Sequence, residues 1–322
     1  MRSHEHHNEP HAPWSAQVEL TEGCSRLCGF CGLNAIREGP GDYHFMSVMM
    51  AETTAMGLAD LCPTARVEFA MHGEPLMNPD ATRIFAIFRA YLPKAQLMVT
   101  TNGVRFRKKD TMKARCDELF AAGVDFVVLD TYEPERSALI VEARLAALDG
   151  LRVFDFYADL APAGINVYGK SHGAKLRHSV VLMDDIGIRD GEHPSRVLLN
   201  HAGCNPQAPT PAQPLAKTCT NPFREVTVTW DGDVRICCMD WRGEHSMGNA
   251  TDGLRAVWYG DSFNAARAHL HARDRTFMPC DLCNKNSGTR VGLLPTFDPP
   301  TDAQRALVPR RKTRLPKLNV IA

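Results

Sequence analysis

The sequence has no apolar run that approaches the roughly 20 residues needed to cross a bilayer. Its N-terminus, Met1-Arg-Ser-His-Glu-His-His, lacks the apolar segment of a secretory signal. It lacks a charge excess as well, because 37 basic and 37 acidic residues cancel, so no global field marks a binder of membranes or nucleic acids. These absences predict a cytoplasmic protein with no membrane partner. With 44% apolar and 23% charged residues the composition is that of an ordinary globular chain. A length of 322 residues allows one large domain, or one plus a smaller appendage.

What the chain has in plenty is cysteine. Eleven is a high count for a reducing compartment, where disulfides are rare. Cys24, Cys28 and Cys31 cluster near the start, Cys219, Cys237, Cys238, Cys280 and Cys283 lie in the last third, and Cys62, Cys116 and Cys204 are isolated. Metal ligation at two places is the economical reading. The first group, Cys24-Ser-Arg-Leu-Cys28-Gly-Phe-Cys31, follows a short β-like run. Thiolates suit iron–sulfur clusters, and three on one loop hold three irons of a 4Fe–4S cube and leave the fourth open. Zinc would normally want a fourth protein ligand or a water. A zinc knuckle, or cysteines scattered in the core, is the plainer alternative.

Cys24, Cys28 and Cys31, with Phe30 just before the last, resemble the signature of radical S-adenosylmethionine (SAM) enzymes. The resemblance implies that the open iron binds the amino and carboxylate groups of SAM. Reductive cleavage then yields methionine and a 5′-deoxyadenosyl radical, which abstracts hydrogen from a substrate.

Residues 1–13, with His4, His6, His7 and His11, read as a loose tail. A strand over Gln17–Thr21 delivers the cysteine loop, and Ser47 caps a helix to about Leu61, stopped by Pro63. Strands are predicted over Val67–Met71, Gln96–Thr100, Val124–Asp130, Leu151–Tyr157 and His178–Met183. Helices are predicted from Asn78-Pro79 towards Leu92, over about 109–121, and from about Pro134 to Leu148. This α/β alternation implies a parallel sheet with its functional loops at the strand C-termini. The resemblance implies the partial (β/α)6 barrel of radical SAM enzymes over residues 14–203.

Three loops sit at those strand ends. His72-Gly73-Glu74-Pro75 is similar to the family's Gly-Gly-Glu-Pro element, which receives the SAM amino group; His72 departs from the usual glycine. Gly73 permits close backbone approach and Glu74 offers an acceptor. Thr101-Asn102-Gly103 also resembles a family element near SAM, although a plain strand-to-helix turn explains it too. Asp130 stands where relatives contact the SAM ribose.

The later cysteines run from Cys219 by twelve residues to Gly232, by four more to Cys237, and on to Cys280-Asp-Leu-Cys283. The pattern is similar to the SPASM/Twitch extension of radical SAM enzymes. No cysteine follows Cys283, so the chain resembles the shortened Twitch form. That implies one auxiliary 4Fe–4S cluster on Cys219, Cys237, Cys280 and Cys283, with Cys238 as a possible exchange for Cys237 and structural zinc as the alternative. An Asp231-Gly232 turn makes a hairpin of 225–237, and a helix bearing Leu254, Val257 and Trp258 follows. The Pro-rich stretch 204–218 reads as a linker, 219–295 as the auxiliary-cluster domain, and 296–322 as an extended basic tail. Cys62 and Cys116 read as buried packing residues. The tail from Arg310 to Lys317 is a solvated end or a handle for phosphate on a nucleotide or nucleic acid.

Two clusters in one chain predict a net oxidation, the auxiliary cluster taking one electron from the substrate radical. This resembles the radical SAM dehydrogenases that carry a Twitch domain. Base candidates at the barrel mouth are His72, Tyr132, Tyr157 and Asp240, and Cys204 is a candidate hydrogen donor. Alternatives are a peptide-modifying maturase, with no leader-peptide domain expected in the short stretch before the first strand, a redox-neutral isomerase or epimerase, and a non-catalytic metal-binding module. The expected partners are a small-molecule, nucleotide or peptide substrate and an electron donor such as flavodoxin or ferredoxin.

Overall fold

The structure is a computed structural model, and it describes residues 10–39, 41–107, 111–131, 136–169, 175–183, 199–285 and 297–312. Tyr132, Pro134, His4, His6, His7, Arg314 and Lys317 lie outside those residues.

The chain begins with β1 (Ser15–Val18) and a small ladder of β2 (Thr21–Glu22) with β3 (His44–Phe45). Between these two strands runs the cysteine loop. Helix α1 (Val48–Leu61) starts where Ser47 accepts a hydrogen bond from the Met50 N–H at 3.1 Å. Strand β4 (Arg66–Phe69), α2 (Ala81–Tyr91), β5 (Gln96–Thr101), α3 (Met112–Ala121), β6 (Phe126–Asp130), α4 (Arg136–Leu148), β7 (Arg152–Asp155) and β8 (Ser179–Met183) follow. The predicted start of α2 shifts, because Asn78 is drawn inwards: its side-chain amide donates to the carbonyls of Leu20 and Met46 at 2.9 and 3.0 Å. On the outer face Phe69 packs against Phe85 and Phe88 with ring centroids 4.9 Å apart. All three are fully buried, each contributing about 1.5–3 kcal/mol.

The six barrel strands are parallel, but their order is β1-β4-β5-β6-β8-β7. The last two are exchanged relative to their order in the chain. Strand β8 is apolar and buried at every position, which suits an interior strand, whereas β7 carries exposed Arg152 and Asp155, which suit an edge. After β7 the chain forms a π-helical turn, Phe156–Leu160. Leu160, Val167 and Leu176 pack with Met98, Phe126, Val128, Val181 and Met183 in a second core.

The later part of the chain supplies α5 (Asn221–Arg224), β9 (Glu225–Val228), β10 (Asp233–Arg235), β11 (Ser246–Asn249), α6 (Leu254–Trp258), α7 (Asp261–His271) and α8 (Asp302–Leu307). Gly232 turns the expected hairpin with φ +85°. The hairpin does not stand apart: β9 pairs in parallel with β1, giving one nine-stranded sheet. Within 204–218, expected to link two units, Cys204, Asn205, Ala208 and Thr218 are buried. Pro10 and Pro13 are buried, and the Trp258 indole donates to the carbonyl of exposed His11 at 3.2 Å. Within the stretch expected to be a tail, α8 is opened by a capping box between Thr301 and Gln304. No helix among the described residues is long and apolar enough to cross a membrane.

Candidate active site

Parallel pairing brings the C-terminal ends of β1, β4 and β5 side by side, and their loops interlock. Gly23 and Gly73 form a parallel bridge: the Gly23 N–H donates to the His72 carbonyl at 3.2 Å, and the Glu74 N–H to the Gly23 carbonyl at 3.0 Å. A Cβ on Gly73 would lie 2.3 Å from the Gly23 oxygen and 2.4 Å from the Thr21 oxygen. The close approach that Gly73 permits is therefore to the backbone leading into Cys24.

Glu74 is 2% exposed. Its carboxylate accepts from the Thr101 hydroxyl at 2.7 Å, the Asn102 N–H at 2.8 Å and the Leu76 N–H at 3.1 Å. Burial raises its pKa, and these bonds oppose the rise. Glu74 thus ties the third loop to the second. Asn102 in turn donates its side-chain amide to Cys24 Sγ at 3.2 Å. Gly73, Glu74, Pro75, Thr101 and Asn102 accordingly meet around the loop of Cys24, Cys28 and Cys31, with half-buried Phe30 on that loop. Asp130, half-buried, ends β6 in register with Met183.

The donor sets fit iron–sulfur clusters. As free thiols these cysteines are poorly placed: burial pushes Cys31 up to about 11 and, with repulsion among neighbouring thiols, pushes Cys237 and Cys280 far up. A bound metal reverses that preference and deprotonates its thiols. Cys219, Cys237, Cys280 and Cys283 line one small cavity. Cys238 is not among the residues lining it, and its thiol lies in the field of Lys285, Glu225, Glu68 and Cys283. Cys62 and Cys116 are buried in the core as expected, and burial pushes both thiols up to about 12.

The base candidates fare differently. His72 is 1% exposed, with Nδ1 3.0 Å from Glu19 Oε1 and its ring against Trp241. Asp240 is fully buried, and its two carboxylate oxygens take the N–H groups of Glu244 and His245 at 2.9 and 3.0 Å; it closes a turn and is no free base. Tyr157 lies on the π-helical turn, edge-on to Phe156 and packed on the second core. Cys204 is buried against Leu33 and Trp241, with Cys24 and Cys31 packed on the same cluster, and burial pushes its thiol up to about 12.

Two residues of the basic stretch, Arg310 and Arg311, are engaged within the protein. Arg311 reaches both Glu244 oxygens, at 2.5 and 2.7 Å, and Asp281 at 2.9 Å, and Arg310 donates to the Thr276 hydroxyl at 2.7 Å. These two cations tie residues 310–311 to the segments around Thr276, Glu244 and Asp281.

Glu19 is a residue the sequence reading passed over. Its carboxylate accepts from the N–H groups of His72 and Trp230 at 3.0 and 3.3 Å, joining β1 to two loops. Together with Glu22 and His72 it forms a group whose ligand-type atoms lie within 4.8 Å, but Glu22 is paired with His44 at 3.2 Å. Trp241, stacked 4.4 Å from His201, was likewise missed. Alternation in the run before Cys24 signals an inward Glu19; nothing local signals Trp241.

Residues 18–146 match the family model described as Radical SAM superfamily, and residues 219–284 match the iron-sulfur cluster-binding domain, SPASM. A curated relative, the S-adenosyl-L-methionine-dependent 2-deoxy-scyllo-inosamine dehydrogenase of Niallia circulans, is 24% identical over 289 residues, covering 88% of this chain and 96% of the relative. The crystal structure of BtrN in complex with AdoMet and 2-DOIA superposes with a TM-score of 0.62 at 20% identity, over 85% of this chain and 94% of that one. An open conformation of BtrN superposes with a TM-score of 0.54 at 17% identity, over 85% and 92% of the two chains. The chain thus carries a radical SAM domain followed by a SPASM iron–sulfur cluster-binding domain, and its cofactors are SAM and 4Fe–4S clusters, one of them auxiliary.

Proposed function

We propose that the chain is a radical SAM dehydrogenase that oxidises a hydroxyl-bearing carbon of a small polar substrate by two electrons. Cys24, Cys28 and Cys31 hold the SAM-binding cluster, with Phe30, Gly73, Glu74, Pro75, Thr101, Asn102 and Asp130 as its SAM cradle. Cys219, Cys237, Cys280 and Cys283 hold the auxiliary cluster. Bound there, the first cluster with SAM supplies a hydrogen-abstracting 5′-deoxyadenosyl radical, and the second supplies an acceptor for the electron left on the substrate.

The chain's own groups position these partners. The Gly23–Gly73 bridge sets the cysteine loop against the second loop, Glu74 holds Thr101 and Asn102 in place, and Asn102 steadies Cys24. The observation that carries the reading is the contrast between the two cysteine sets. Three thiols on one loop leave a position open for SAM, whereas four around a closed pocket leave none and suit electron transfer.

The substrate class comes from the relatives. The curated one is named for 2-deoxy-scyllo-inosamine, and the superposed crystal structure holds 2-DOIA, which supports an aminocyclitol-like small molecule. A flavodoxin or ferredoxin is the proposed electron donor, and the cytoplasm the proposed location. A redox-neutral isomerisation is the second reading, supported by the protonated Cys204 thiol packed beside Cys24 and Cys31.

The test is anaerobic turnover of 2-deoxy-scyllo-inosamine with SAM and dithionite. The dehydrogenase reading predicts one 5′-deoxyadenosine per ketone formed, with SAM consumed in step. A product of unchanged mass would replace it with isomerisation, with SAM regenerated if 5′-deoxyadenosine returns the hydrogen and consumed if Cys204 donates it. 5′-Deoxyadenosine without ketone would remove the aminocyclitol assignment.

A further inference from the structure

The pocket of Cys219, Cys237, Cys280 and Cys283 is also lined by two cations, Arg275 and Lys285. Arg275 is 2% exposed. Its guanidinium is fixed by three carbonyl oxygens, of Lys217 at 2.9 Å, Lys285 at 2.9 Å and Thr218 at 2.8 Å. Carbonyls orient a guanidinium without cancelling its charge, and arginine stays protonated in proteins. Lys285 is half-buried. Among the described residues neither cation is ion-paired with a carboxylate. Glu225 is engaged by Arg66 at 3.4 Å, and Asp240 is held by two backbone N–H groups. Two further N–H groups point at the sulfurs themselves, Met239 to Cys237 at 3.4 Å and Lys285 to Cys283 at 3.3 Å.

Reduction of a cluster bound by four thiolates adds one negative charge to a site that is already anionic. Nearby positive charge and N–H···S bonds favour the reduced form, and they do so more strongly in a buried site. We propose that Arg275 and Lys285 raise the reduction potential of the auxiliary cluster, making it an acceptor for the substrate's electron. This rests on the dehydrogenase reading: one electron passes from the substrate radical to the cluster, and the hydroxyl proton leaves to a base or to solvent. Arg275 fixes the charge beside the sulfurs and also ties the segment before Cys219 to the one after Cys283. Lys285 supplies charge alone, since its backbone groups make the structural bonds. Neither touches the reacting atoms, so both act through the cluster.

The experiment is an EPR-monitored redox titration of the holoenzyme carrying both clusters, comparing the native chain with Lys285→Gln, Lys285→Met and Lys285→Arg. Methionine keeps most of the apolar stem, so either neutral variant reads the charge should the other lose its cluster. The expected result is a tenfold lower equilibrium constant for auxiliary-cluster reduction in the neutral variants, a downward shift of about 59 mV for a one-electron couple. Lys285→Arg should restore the native value, and the SAM-binding cluster should stay unchanged in all three. Full auxiliary-cluster signals at the native potential in the neutral variants would overturn the proposal, as would an arginine variant shifted as far as the glutamine one. A native chain with only one cluster would instead overturn the two-cluster reading beneath it.

Discussion

Asn102 holds two neighbours at once, its side-chain amide donating to Cys24 Sγ at 3.2 Å and its backbone N–H to the Glu74 carboxylate at 2.8 Å. The end of β5 is thereby locked to the cysteine loop and to the turn after β4. Asn102→Ala removes the N–H···S bond and keeps the bond to Glu74. The variant should fold at a cost of about 1 kcal/mol, while the SAM-binding cluster titrates at a lower potential because it has lost a donor to sulfur. Thermal unfolding and a redox titration of that cluster check the two parts separately.

Gly73→Ala tests the backbone contact behind the site. The new methyl would meet the Gly23 and Thr21 oxygens at 2.3 and 2.4 Å, and both are backbone atoms that cannot swing aside. The loops must part, at a cost of about 1–3 kcal/mol or more. SAM affinity should fall with stability, whereas the iron of the four-cysteine site should be retained. Iron analysis beside a SAM-binding titration reads both.

How much of this was legible before folding differs from residue to residue. Ser47 announced α1, and Gly232 announced the hairpin, because capping and left-handed turns are decided within a few residues. The exchange of β7 and β8 was written in the polarity of Arg152-Val-Phe-Asp155 against the unbroken Ser179-Val-Val-Leu-Met183, a contrast that chain order alone conceals. Thr301 and Gln304 carried the capping box of α8 in a stretch dominated by its basic residues. The cysteine sets were readable because ligand spacing survives in the chain. Trp241 on His201, Arg275 on three carbonyls and Arg311 on Glu244 depend on segments that meet only in the folded state, and no local pattern encodes them.

Acid should destabilise the protein through two histidines. Burial lowers His201 and His245 to about 4, below the ordinary value near 6.5. The unfolded chain then binds more protons than the folded one between these limits, so stability is intact above about pH 6.5 and is lost as pH falls towards 4. Each ring removes up to about 1.4 kcal/mol per pH unit across that window. His201→Asn, chosen because asparagine tolerates the left-handed backbone at that position (φ 46°), should flatten the decline by about half. Unfolding midpoints followed from pH 7 to pH 4 give the comparison.

The central claim is that Cys24, Cys28 and Cys31 hold a cluster that cleaves SAM, apart from a second cluster on Cys219, Cys237, Cys280 and Cys283. Iron counting and 5′-deoxyadenosine analysis after anaerobic reconstitution, in the native chain and with all three of the first cysteines replaced by alanine, test it most directly. The native chain should hold about eight irons and form 5′-deoxyadenosine with dithionite. The triple variant should keep about half the iron and form none. SAM cleavage that survives the triple replacement would contradict the account.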